Sequence, residues 1–474
     1  MKKFAILVLA ALLVAAFTVP AAALENEFGG YWRTRFYQMG HFNGEKSDDS
    51  NWRLVDTRTR LYYTAKINDN LKLVNKFEMD AVWGSGDESR NGPSIAKDTA
   101  GNTVVNPATG LPIVTSGNNR GYGQVDYSTG ADGANIEIKN SYADFNTGPV
   151  NWTVGVQPYV LFRSFYVDTD ASGVIGRWKV LDNFVLAGSW LKNYEGGSGD
   201  GNNEDVDAYT LTGAFWFSEN ISIKPSVSWS TSSELNPGYA QGLLGLPPVT
   251  NTVNTGLSTA PYGDLTLVTY GFDFDMDFDN FGLWATVIGQ DGSVDSKTGK
   301  DIDISSWLAA IGGNVMLGPV DIHGQAFYTP GDDNPNDSDV DNFVAVLGSY
   351  YWSEIMGLGM FDYEASAGSP ADHLFNIWAV NLGATVKPMD KLSITADLWY
   401  AQHEEDVVFN AGTIDQRKEN KLGTELDVVV TYQLVEGMNL DLVGAYLWAG
   451  DATSLNGKND EDPYEFGARL SLSF

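Results

Sequence analysis

The sequence predicts an all-β chain, a transmembrane antiparallel up-and-down β-barrel of about eighteen strands. Three observations predict it. Short turn signals and long polar stretches take turns along the chain, the segments between them alternate apolar with polar residues, and no run of about twenty apolar residues, the length of a membrane helix, follows the N-terminal segment.

The elements follow in order. Lys2 and Lys3 precede an apolar run from Phe4 to Val14 and a small-residue stretch ending in Ala21-Ala22-Ala23. That is the build of a secretory signal peptide, so residues 1–23 are expected to be removed and the mature chain to start at Leu24. Residues 24–474 are then one barrel domain, with long extracellular loops expected at 85–133, 232–263 and 331–373.

Composition narrows the classes. The chain has no cysteine, which removes disulfide frameworks, thiolate metal sites and cysteine nucleophiles from consideration. A closed barrel finds stability elsewhere, by pairing every strand and leaving no edge. Acidic residues number 61 against 29 basic, a formal charge of −32, so nucleic acid is excluded as a partner of the surface as a whole. With 12% aromatics, 51 glycines and only 19% charged residues, the chain reads as strands and tight turns rather than as a disordered acidic tail.

Eight short turn signals recur: Asn68-Asp69-Asn70, Gly148-Pro149, Asp182-Asn183, Glu219-Asn220, Asp279-Asn280, Gly318-Pro319, Pro388-Met389-Asp390 and Glu436-Gly437. Between them lie polar segments at 40–51, 85–133, 164–171, 195–204, 232–263, 291–301, 331–373, 404–420 and 450–462. Nine long loops alternating with eight short turns connect eighteen strands and put both chain ends on the short-turn side, the periplasmic side of such barrels. Phe343 to Trp352 is apolar enough to be a strand; with a neighbour in the wall it would raise the count to twenty, so the range is sixteen to twenty.

Aromatic spacing supplies a second measure. Ile221 to Trp229, Leu392 to Tyr400 and Leu440 to Trp448 are each eight residues apart and therefore on one strand face. Eight residues at ~3.3 Å and a tilt of ~40° climb roughly 20 Å, close to the ~25 Å apolar band that aromatic girdles bound. Trp83, Trp190, Trp229, Tyr400 and Trp448 are the candidate girdle. The last strand carries Tyr464, Phe466, Leu470, Leu472 and Phe474 on one face, with Gly467, Arg469, Ser471 and Ser473 on the other.

The two-residue period then assigns the interior. Strand one turns Arg33 and Arg35 inward, strand two Asp56, Arg58 and Arg60, strand three Lys76, Glu78 and Asp80. Strand ten turns in Asp273, Asp275 and Asp277 while Phe272, Phe274, Met276 and Phe278 face lipid. Arginines on one wall and aspartates nearly opposite would set an oblique field across a wet channel; alternatively, the charges satisfy one another within each wall. Both readings call for a polar lumen.

That ending resembles the terminal strand of bacterial outer-membrane barrels, which is read by the insertion machinery. Taken with the inward Arg33/Arg35 and Arg58/Arg60 pairs, the Gly331-Asp332 step and the pattern Leu382-Gly383, Lys387-Pro388, Leu392, the chain is similar to outer-membrane porins and, more narrowly, to the alginate-export-type family. The resemblance implies a monomeric barrel whose basic lumen positions guide an anionic polysaccharide outward. Two features depart from that family: the final turn at Glu436-Gly437 is minimal where the exporters carry a long gating loop, and the aspartates of strand ten would oppose a polyanion.

Catalytic and metal motifs are not expected. The four histidines, His41, His323, His373 and His403, form no HExxH pair, and Gly299-Lys300 is followed by Asp301 rather than by a P-loop Ser or Thr. Gly256-Leu-Ser258-Thr-Ala260 falls short of a nucleophile elbow. The acidic run from Asp332 puts Asp337 where a calcium loop needs glycine and Phe343 where it needs glutamate. The expectation is thus a water-filled channel for passive diffusion of small hydrophilic solutes, without cofactor. Export of an anionic polysaccharide and a closed adhesin or receptor barrel acting through its long loops are the alternatives. Expected partners are outer-membrane lipid and lipopolysaccharide, the barrel-insertion machinery and the solute or polysaccharide itself, with the barrel a monomer or a homotrimer.

Overall fold

The computed structural model describes residues 24–46, 51–83, 94–95, 114–115, 136–196, 204–236, 239–240, 262–297, 300–334, 337–346 and 350–474. The expected signal peptide and most of the loops at 85–133 and 232–263 lie outside the described residues.

Eighteen antiparallel strands form the wall. They are β1 (Glu25–Gly40), β2 (Trp52–Asn68), β3 (Leu71–Val82), β4 (Ile136–Thr147), β5 (Val150–Leu161) and β6 (Val167–Leu181). Next come β7 (Phe184–Tyr194), β8 (Val206–Ser218), β9 (Ile221–Ser232), β10 (Tyr262–Phe278), β11 (Phe281–Ser296) and β12 (Ile302–Leu317). The wall finishes with β13 (Val320–Thr329), β14 (Ile377–Met389), β15 (Leu392–Phe409), β16 (Arg417–Val435), β17 (Met438–Ala449) and β18 (Tyr464–Ser473). Each pairs with its sequence neighbour, and β18 closes on β1 from Tyr31↔Ser473 to Gly40↔Tyr464. Phe474 seals the seam, its carbonyl accepting from Gly30 N at 2.9 Å and its own N–H donating to Gly30 O at 3.2 Å.

The eight turns fall where Asn, Asp, Gly and Pro place them, the seventh one residue later at Asp390-Lys391. The loop boundaries need correction. β6 begins at Val167, so the third connection is 162–166 rather than 164–171. Residues 291–296, 404–409 and 417–420 are strand, not loop. Polar residues can extend a ladder past the apolar band because water satisfies their side chains while the backbone stays paired.

The described residues of Phe343 to Trp352 are not in the wall. The described part of the long connection between β13 and β14 folds into the barrel; apart from Asp339–Val340, which runs parallel to β12, it adds no strand. The lumen, expected to be polar, thus also holds an apolar region. Towards the loop end, Leu267, Ile288, Leu308, Phe327 and Trp399 face inward and pack on Phe343, Val344, Trp352, Ile355, Met356 and Phe361. Trp352 meets Phe327 and Trp399 edge-on at 5.4 and 5.2 Å. Each large apolar side chain withdrawn from water contributes roughly 1.5–3 kcal/mol, enough to hold irregular chain inside a barrel.

Outside, Phe36, Leu211, Val287, Ile311, Leu398 and Leu442 are exposed, the face an apolar solvent requires. The structure places Trp83, Trp190, Trp229, Tyr400 and Trp448 on this outer surface. Trp229 packs with Tyr209, Tyr400 with Trp378 and Trp448 with Tyr446. Trp83 and Trp190 donate their indole N–H at 2.8 Å to Thr57 Oγ1 and Asp207 Oδ1. Tyr464 stacks on Phe466, while Leu470 and Leu472 alternate with inward Arg469 and Ser471 on β18.

Candidate functional site

A cavity of about 530 Å³ lies between the inner face of β1–β4 and the inward loop, which contributes Tyr351 and Asp362. The alternation of β1, β2 and β3 carries Arg33, Arg35, Asp56, Arg58, Arg60, Glu78 and Asp80 into its lining, joined by Glu137 and Lys139 of β4. Register then decides the partners. Arg33 stands across from Arg58, Arg35 from Asp56, Arg58 from Asp80 and Arg60 from Glu78.

The guanidinium of Arg35 forks onto Asp56, with Nε to Oδ1 at 2.8 Å and Nη2 to Oδ2 at 2.5 Å, and also donates to the carbonyl of Phe361 in the loop. Arg58 grips Asp80 at 2.7 and 2.6 Å, and Arg60 binds Glu78. Lys139 reaches Asp170 at 3.2 Å. Lys76 forms no ion pair among the described residues and lies 5.2 Å from the ring of Tyr62. Arg33 differs from the other arginines: only 8% exposed, it forms no ion pair among the described residues, and its Nε has no hydrogen-bond partner.

Two of the aspartates of β10, Asp273 and Asp275, have partners on the neighbouring strands, and Asp275 also meets the short loop at 162–166. Thr286 Oγ1 donates to Asp273 at 2.6 Å, Lys224 reaches Asp275 at 3.1 Å, and Arg163 also donates to Asp275. Asp277 lies exposed beside the turn. Arg163 was not legible as a site residue. It reaches the lumen because Phe162, Arg163 and Ser164 take φ values of 53°, 54° and 68°, three successive left-handed residues that turn the short loop inward. Its guanidinium also covers Trp284, 4.7 Å from the ring centroid.

Carboxylates seat the loop. Glu425 on β16, fully buried, accepts from Ile355 N at 2.7 Å, Met356 N at 3.0 Å and Ser353 Oγ at 3.2 Å. Asp427 accepts from Glu354 N at 3.3 Å, and Glu354 turns its own carboxylate onto Met360 N at 2.6 Å. Glu465 on β18 is buried alongside with both oxygens unpartnered. Burial, with Glu425 close by and the Met360 amide opposing, pushes the Glu354 carboxyl up to about 7. Burial and the facing Asp362, which accepts from Tyr351 Oη at 2.8 Å, raise the Tyr351 hydroxyl above its ordinary range.

A second cavity, about 230 Å³, adjoins the first along the wall, lined by β5–β9 and by Val346 of the inward loop. The Lys139–Asp170 pair stands between them, for Lys139 lines one and Asp170 the other. Here the lining is hydroxylic. Inward positions 222, 226, 228, 230 and 232 of β9 are all serine, interrupted by Lys224. The two-residue period shows that run in the sequence, but uncharged side chains announce no partner there.

No family model and no curated protein matches the chain. Solved structures share its fold. OccAB1 of Acinetobacter baumannii has 12% sequence identity and a TM-score of 0.52, over 96% of this chain and 99% of that one. The outer membrane protein opdK from Pseudomonas aeruginosa has 9% identity and a TM-score of 0.52, over 95% and 98%. OccAB4 of Acinetobacter baumannii has 11% identity and a TM-score of 0.51, over 96% and 99%. At such identities the likeness is one of fold, and these neighbours lend the alginate-export resemblance no support.

Proposed function

We propose that the chain is an outer-membrane channel for passive diffusion of small hydrophilic solutes, not an enzyme. The observation that carries this reading is a charge-lined cavity of about 530 Å³ enclosed by a continuous eighteen-strand wall and narrowed by an inward loop. The pairing inside decides between the transport readings. Five basic residues of the lining (Arg33, Arg35, Arg58, Arg60, Lys139) meet five acidic ones (Asp56, Glu78, Asp80, Glu137, Asp362), so the passage has no surplus of positive charge with which to draw a polyanion. A small solute needs no such surplus.

The aromatics Trp83, Trp190, Trp229, Tyr400 and Trp448 mark the membrane boundary, the outer loops meet lipopolysaccharide, and Tyr464, Phe466, Leu470, Leu472 and Phe474 present the face that insertion machinery reads. Planar-bilayer recording of the purified barrel tests the channel. Steady ion-current steps are expected; electrical silence would favour a closed adhesin or receptor, and block by a polyuronate would favour export.

A further inference from the structure

We propose that the compartment of about 230 Å³ behind the Lys139–Asp170 pair is a binding site for a neutral polyhydroxy solute, a polyol or small sugar, in series with the charged cavity. The inference deepens the channel reading and rests on it.

The lining sets the chemistry. Two charged residues touch this space, and both are already neutralised. Asp170 is held by Lys139 at 3.2 Å and by Asn140 Nδ2 at 2.6 Å; Lys192 is held by Asp205 at 2.8 Å and Asp207 at 3.1 Å. What remains is uncharged: Thr169, Thr210, Ser228 and Ser230, which bring hydroxyls on the inner face, and Asn193 with its amide. A hydroxyl donates one hydrogen bond and accepts two, so it can exchange bonds with a solute hydroxyl without leaving either short. An ion entering here would give up water for groups carrying no opposite charge.

The serine run extends the site along the wall. Thr210 Oγ1 donates to Ser228 Oγ at 3.0 Å, and one turnward step brings Thr212 and Ser226 to 2.9 Å. Ser230 is the exception: 2% exposed and lining the cavity, its Oγ makes no hydrogen bond of normal geometry although the Tyr166 hydroxyl lies near. A buried hydroxyl left short is costly, and a solute hydroxyl would satisfy it. Leu191, Ala208 and Tyr159 form an apolar floor, suited to the C–H face that a polyol presents opposite its hydroxyls.

Single-channel recording of the full-length barrel in potassium chloride, with sorbitol added to one side, reads occupancy as partial block. Sorbitol should block in a saturable manner, and Ser228→Ala with Ser230→Ala should raise the half-blocking concentration about fivefold, as the loss of one net hydrogen bond predicts. Thr210→Val, of nearly unchanged shape, should act in the same direction, and heat-dependent electrophoretic mobility confirms that each variant is folded. Half-blocking concentrations unmoved by all three substitutions, or equal block by a polyether of similar size without hydroxyls, would overturn the inference while leaving the channel in place. Absence of ion current from the unsubstituted barrel would overturn the channel reading, and this inference with it.

Discussion

At the scale of single residues, register matters more than residue type. Arg33 and Arg35 are two positions apart on one strand face, yet Arg35 faces Asp56 across β2 while Arg33 faces Arg58. One guanidinium is therefore tied to a carboxylate, whereas the other faces a like charge and forms no ion pair among the described residues. At ~5 Å through water a unit charge is worth roughly 0.8 kcal/mol to each ion, with opposite sign for chloride and potassium, so Arg33→Gln should lower the chloride-to-potassium permeability ratio roughly fifteenfold, read from the reversal potential in a salt gradient. An unchanged ratio would show that Arg33 does not meet the permeating ion. Arg35→Gln should behave differently, because it leaves Asp56 buried without its partner and frees the Phe361 carbonyl; a loss of about 3–5 kcal/mol in denaturant titration is expected. The inward charges were legible from the two-residue period alone. Their partners were not, since the period says which face a residue takes and nothing of which strand residue stands opposite.

At the scale of elements, the turns were legible because Asn, Asp, Gly and Pro act locally, whereas the inward loop was not. Phe343 to Trp352 is as apolar as a wall strand, and burial by lipid and burial by the barrel's own interior ask for the same residues. The loop's seat gives it a pH response whose sign is fixed. Glu354 is faced by Glu425, Asp427, Asp397 and Glu465, with Arg469 the opposing cation. Seated, its carboxyl titrates near 7; lifted into water it would return to its ordinary 4.5. The seated loop thus binds the proton more tightly, so its advantage is complete below 4.5 and is lost as pH rises to about 7. Conductance or open probability should therefore increase from pH 5 to pH 7.5, and Glu354→Gln should flatten that slope in the low-conductance state. A slope of opposite sign, or one retained in the variant, would remove Glu354 from the gate.

At the scale of the whole molecule, one rule organises wall, lumen and loops: successive residues of every strand meet different solvents. β15 offers a direct contrast. Ala396 is exposed on the outer face, midway between Leu392 and Tyr400, while its neighbour Thr395 points inward and shares a 2.8 Å hydrogen bond with Thr385. A charge on the lipid face at mid-depth costs about 2–4 kcal/mol, whereas an inward charge can reach water, here beside Asp397 two residues on. Ala396→Arg should lower stability by that amount in lipid bilayers, measured by guanidinium titration, and Thr395→Arg should cost much less while altering ion selectivity. Equal losses at the two positions would mean that both faces see the same environment. No membrane-spanning barrel could then account for the alternation that runs from β1 to β18, because a soluble sandwich tolerates arginine on its outer face and rejects it within.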